Sequence, residues 1–113
     1  QSFMGEINNS SSSNWVYLQN HKVKGYLFGW KIGLDFHINN IAVDLLSRRK
    51  GIAQKMIDNI IFDLNMKNIF LEVSSLNKDA IKLYQKLGFQ KSGMREKYYN
   101  DGSDAILYNM EIK

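Results

Sequence analysis

Cysteine is missing from this 113-residue chain, so neither a disulfide framework nor a thiolate metal site can form. That absence suits a reducing compartment, and a cytoplasmic location is the expectation. Proline is missing too, alongside an abundance of Asn, Lys and Ile, a compositional bias that carries no chemistry. No apolar run is long enough to cross a bilayer, and the first residues lack the pattern of a signal peptide, so no membrane partner is expected. The two histidines, His21 and His37, stand far apart without ligand companions, and no metal is expected.

What is present describes one domain over residues 1–113. The hydrophobic fraction of 44% is that of a globular chain able to bury a core. The net charge is +4 and the pI is near 9.3, a balance that suits an anionic partner. Most of the lysines read as solvated surface; the cluster Arg48-Arg49-Lys50 is the exception.

Patterning divides the chain. Phe3, Met4 and Ile7 share a helical face, which suggests the end of a helix over 2–8. The polar run from Asn8 to Asn14 reads as a loop. Residues 14–19 and 23–32 read as a hairpin turning at Gln19-Asn20-His21-Lys22, with Trp15 and Trp30 in core or hairpin packing. Residues 36–43 form a third strand. Ala53, Met56, Ile57, Ile60, Ile61 and Leu64 recur at the spacing of one buried stripe, so 51–65 is a helix. Residues 68–74 read as a buried strand. A second helix follows, with Asn77 as N-cap, Asp79 in its first turn, Ala80, Leu83, Tyr84 and Leu87 on its apolar face, and Gly88 as its stop. Strands near 89–98 and 104–112 close the chain across Asn100-Asp101-Gly102. The strand–helix–strand passage over 36–74 implies a parallel pair inside an otherwise antiparallel sheet, hence a mixed α/β fold.

Arg48-Arg49-Lys50-Gly51-Ile52-Ala53 opens the long helix. The first turn of a helix offers unpaired amides and the positive end of its dipole, and Gly51 lets the backbone approach a ligand closely. Cations there oppose the dipole at about 0.3–1 kcal/mol each, a cost that a bound polyanion would offset. On the loop alone, an anion site and a solvated basic turn fit equally.

The downstream residues break that tie. Arg48-x-x-Gly51-x-Ala53 after Ile41-Ala42-Val43-Asp44 resembles the cofactor signature of the GNAT acetyltransferase superfamily. Leu71-Glu72-Val73, Asn77, Ala80 and Leu83-Tyr84-x-x-Leu87-Gly88-Phe89 are similar to the second half of that fold. Arg95-x-x-Tyr98-Tyr99 with Asp104-Ala105 and Met110 resembles its RimI-like branch, which acetylates the α-amino group of a ribosomal protein. The family's first strand and first helix find no counterpart in the early residues.

The resemblance implies a single-domain GNAT fold and acetyl-CoA as acetyl donor. By it, the backbone of Ile41, Ala42 and Val43 pairs with the pantetheine arm. Arg48 starts the motif, while Arg49, Lys50, Gly51, Ile52, Ala53 and Gln54 wrap the pyrophosphate. Asn77 bonds the cofactor as well as capping its helix, Glu72 is the general base and Tyr84 the general acid. On the residues alone, Glu72 reads as a strand-edge carboxylate paired with a lysine such as Lys67, and Tyr84 as a core side chain whose hydroxyl reaches the surface. Tyr98 and Tyr99 either line the acceptor groove or alternate across a strand. Ser74 stands where the branch has arginine, and Leu45 where it has proline. The implied acceptor is a protein N-terminus, a ribosomal protein's among them. Two alternatives stand: a lysine or small-molecule amine as acceptor, or a non-catalytic module whose basic loop holds nucleic acid, for which no motif is present.

Overall fold

The computed structural model describes residues 2–6, 12–43 and 51–113. Its elements in chain order are β1 (Ser2–Glu6), β2 (Ser12–Gln19), β3 (Lys22–Ile32), β4 (Asp35–Val43), α1 (Ile52–Leu64), β5 (Asn68–Ser74), α2 (Lys78–Leu87), β6 (Gln90–Arg95) and β7 (Ala105–Glu111). They build one seven-stranded sheet in the order β1-β2-β3-β4-β5-β7-β6. All neighbours are antiparallel except β4 and β5, whose parallel pairing is bridged by α1 as the strand–helix–strand pattern requires.

Local chemistry sets the boundaries. Asn20 and His21 both adopt positive φ, at 54° and 66°, the backbone that a tight hairpin between β2 and β3 demands. Asn77 caps α2 by accepting the amide of Ala80 at 3.2 Å. Gly88, at φ 102°, ends that helix in the left-handed region, and its amide returns to the Gln85 carbonyl at 3.1 Å.

The core lies on one side of the sheet, because directly paired residues share a face. Trp15 faces Leu27, Leu27 faces Ile41, Phe36 and Ile38 face Ile69 and Leu71, and Leu71 faces Tyr108. α1 packs here through Ile52, Ala53, Met56, Ile57 and Ile60. α2 packs here through Tyr84, whose ring lies 6.5 Å from that of Tyr108 and edge-on to Phe89 at 5.9 Å. Leu27, Phe36, Met56, Ile57, Ile60, Met66 and Ile69 are fully buried, each stabilising the fold by about 1.5–3 kcal/mol. The other face carries Tyr26, Phe28, Trp30, His37, Phe70 and Glu72; His37 stacks on Phe70 at 5.0 Å.

Four expectations need correction. Residues 2–6 form a strand against β2, not the end of a helix. Helical spacing at three positions is a weak signal, and pairing satisfies the otherwise open edge of β2. The polar run from Asn8 yields to β2 at Ser12, earlier than its composition suggests; residues 7–11 lie outside the described residues. β5 is buried on one face only, so Glu72 is not a charge in a core. β6 ends at Arg95, which leaves Tyr98 and Tyr99 in an ordered loop. Among the described residues, no helix is long and apolar enough to cross a membrane.

Candidate active site

The parallel pairing is short. Residues 35–38 pair with 68–71; beyond them β4 keeps only β3 as a strand neighbour and β5 only β7. The strands part, and the gap between them is a cavity of about 260 Å³, walled by both strands, the start of α2 and the β6–β7 loop. A register slip shapes one wall. Phe28 pairs with Asn40 and Gly29 with Ile38, so Asn39 is an extra residue that bends β4 where it leaves β5. Only glycine fits opposite the bulge: a Cβ on Gly29 would lie 2.4 Å from the His37 carbonyl oxygen and 2.5 Å from the Phe36 ring.

Glu72, Asn77, Tyr84 and Tyr99 all line this cavity, together with Ile38, Asn40, Ile41 and Ser74. The two residues assigned proton transfer therefore share one space, although they come from a strand and a helix. Glu72 keeps 34% of its side chain exposed and pairs with Arg95 at 3.6 Å, not with Lys67. Tyr84 is only 8% exposed. Burial pushes its phenol above the ordinary value of 10.0, and Tyr99 adds to the rise. The Tyr99 phenol is raised as well, first by burial and then by the Glu72 carboxylate, Tyr98 and Asp101.

The loop bearing Tyr99 is held by its own side chains. Asp104 accepts the Lys97 amide at 2.9 Å, Asp101 accepts the Ser103 amide at 2.8 Å, and the Ser103 and Ser74 hydroxyls meet at 2.8 Å. Tyr98 and Tyr99 meet edge to face at 5.2 Å.

The expected cofactor residues divide in two. Ile41 and Asn77 line the cavity, and Ala42 and Val43 continue the same strand. Asn77 has its Oδ1 engaged by the helix, so its amide nitrogen is the group left for a ligand. Gly51 heads α1 at φ 75° with no side-chain cap and no acidic residue in the first turn. A Cβ there would meet nothing within 4 Å. A helix start without a side-chain cap is, in general terms, an anion-binding geometry. Ile52 and Ala53 are buried, and Gln54 donates to Asp58 at 2.8 Å. Arg48, Arg49 and Lys50 lie outside the described residues. Among the described residues no group of three or more His, Asp or Glu could hold a metal.

Residues 1–112 match the acetyltransferase (GNAT) domain. The chain belongs to the GNAT family. Within GNAT, it is 43% identical over 75 residues to an N-alpha-acetyltransferase of Saccharolobus solfataricus, a match covering 63% of this chain and 45% of that protein. It therefore spans less than half the length of this archaeal relative. Over 105 residues it is 31% identical to the ribosomal protein bS18-alanine N-acetyltransferase of Escherichia coli, covering 88% of this chain and 71% of that one. The crystal structure of that E. coli enzyme superposes with a TM-score of 0.85 at 22% identity, over 100% of this chain and 95% of that one. A GNAT acetyltransferase of Elizabethkingia anophelis, solved with acetyl-CoA bound, superposes with a TM-score of 0.84 at 17% identity over 98% of each chain.

Sequence reasoning passed over Ile38, Asn39 and Asn40, which also wall the cavity. The only signal for them was their position before the motifs already noted.

Proposed function

We propose that this domain moves an acetyl group from acetyl-CoA to an amine, and that the acceptor is the α-amino group of a protein N-terminus, a ribosomal protein's among them. The observation that supports it best is the convergence of Glu72 and Tyr84 on the gap between β4 and β5.

Acetyl-CoA supplies an acyl group activated as a thioester. The open start of α1 at Gly51 holds its diphosphate, with Arg48, Arg49 and Lys50 adding charge. The β4 main chain at Ile41, Ala42 and Val43 and the amide nitrogen of Asn77 hold the arm between. A protonated amine has no lone pair for attack, so Glu72 takes the ammonium proton, directly or through a water. Tyr84, a phenol that is protonated at neutral pH at its ordinary value and is pushed further up by burial, gives its proton to the departing sulfur. An α-amino group, with a pKa of about 7.7–8 against about 10.4 for lysine, loses its proton far more readily to one carboxylate. That difference favours a chain terminus over a side-chain amine. The similarity to two N-terminal acetyltransferases points the same way.

A peptide panel tests the reading. Calorimetry on the folded domain should register acetyl-CoA binding, and acetyl transfer should occur on peptides with free N-termini. Transfer only to N-blocked peptides carrying lysine would overturn the acceptor. Absence of coenzyme binding by a folded sample would overturn the transferase.

A further inference from the structure

We propose that Arg95 is a positioning residue that holds the Glu72 carboxylate toward the cavity, with Tyr98 as the platform beneath its guanidinium. This rests on Glu72 as the proton acceptor. The geometry is a chain of four side chains whose two ends, Glu72 and Tyr99, line the cavity. Arg95 Nη2 lies 3.6 Å from Glu72 Oε1. The guanidinium carbon lies 5.4 Å from the centre of the Tyr98 ring. Tyr98 meets Tyr99 edge to face, and Tyr99 returns to the cavity wall that it shares with Glu72.

The sheet makes this reach feasible. Arg95 is the last residue of β6 and pairs with Ala105 of β7, while Glu72 belongs to β5 on the far side of β7. The small side chain of Ala105 leaves Arg95 a path across the middle strand. The platform is fixed in advance, since the loop after Arg95 is tied down by Asp101, Ser103 and Asp104.

Magnitude decides what the pair does. Arg95 is 55% exposed and Glu72 34% exposed, and such surface pairs add little to stability. An exposed glutamate, however, has several rotamers to wander among, and fixing one of them removes that freedom before the substrate arrives. The contribution therefore falls on turnover and not on folding.

A double-mutant cycle tests this. Arg95→Met should lower kcat about 10-fold, with the melting temperature and the acetyl-CoA KM unchanged. In a Glu72→Gln background the same substitution should change kcat less than about 2-fold, because the group being positioned is gone. Arg95→Lys should recover part of the loss, keeping the charge but not the flat face over Tyr98. Tyr98→Leu should give a smaller loss that vanishes once Arg95→Met is present. Equal losses from Arg95→Met in both backgrounds would overturn the proposal. So would a raised acceptor KM at constant kcat, which would make Arg95 an acceptor contact. If Glu72→Gln alone leaves kcat intact, the general-base reading falls and this one with it, a pattern distinct from the other two.

Discussion

The two helices lie on the same face of the sheet, yet they begin in opposite ways. α2 is finished by its own sequence: Asn77 accepts the Ala80 amide, Asp79 sits in the first turn, Lys86 in the last, and Gly88 closes the end. α1 starts at a glycine with positive φ, without a side-chain cap and without an acidic residue in its first turn. Its stability comes instead from Ile52, Ala53, Met56, Ile57 and Ile60, which are buried against the strands. A helix start that its own side chains leave incomplete is free to be completed by a ligand; one that is fully capped contributes rigidity to whatever stands beside it. In the proposed reaction the first holds the coenzyme and the second places Tyr84.

Substitutions at the two starts should therefore separate binding from folding. Gly51→Glu should have the largest effect. It sets a carboxylate at the proposed diphosphate position and should weaken acetyl-CoA at least ~100-fold by calorimetry, about 2.7 kcal/mol. Gly51→Ala serves as its control, carrying the left-handed backbone strain of about 1–3 kcal/mol without the charge. If the two variants bind acetyl-CoA alike, strain and not electrostatics governs the site. Next comes Glu72→Gln, expected to lower kcat ~100-fold near neutrality while the acetyl-CoA Kd stays constant. A joint change in both would place Glu72 in cofactor binding.

Asn77→Ala should remove the α2 cap at a cost of about 1 kcal/mol, read in a denaturant melt, and weaken acetyl-CoA only a few-fold. A loss of affinity as great as that of Gly51→Glu would erase the distinction between the two helices. The smallest effect concerns alkali. The Tyr84 phenol is raised in the fold, so its share of stability is complete below the ordinary tyrosine value and is lost as the pH climbs through the raised one. Tyr84→Phe should flatten that alkaline decline in a stability–pH series; an unchanged slope would mean that Tyr84 is not the group responsible.

Much of this was legible from residues alone. The buried stripe of α1, the Asn77 cap, the Gly88 stop and the alternation in β7 follow from spacing and backbone preference, which act locally. The partner of Glu72 was not legible. Lys67 is near in sequence, but the sheet order places Arg95 beside the carboxylate, and strand order is a long-range property. The strand expected to reach residue 98 ends at Arg95, so the loop across Asn100-Asp101-Gly102 starts earlier than its turn residues suggest. The main-chain amides of Ser103 and Lys97 donate to the Asp101 and Asp104 carboxylates and hold the loop in its turn. Nothing in the residues marks where β4 and β5 separate, so the walls at Ile38 and Asn40 appear only with the fold. Of the candidate site, the identities of Glu72, Asn77 and Tyr84 came from a family resemblance, and their shared cavity from the structure.

The slip at Asn39, with Gly29 beneath it, has a wider consequence. A gap opened by main-chain geometry keeps its dimensions while the residues along its rim are exchanged. Side chains such as Asn40, Val73 and Ser74 can therefore change the lining of the space without closing it, because the main-chain irregularity and not those side chains sets its width. One position that admits only glycine thereby sets the width of a cavity whose walls lie on other strands.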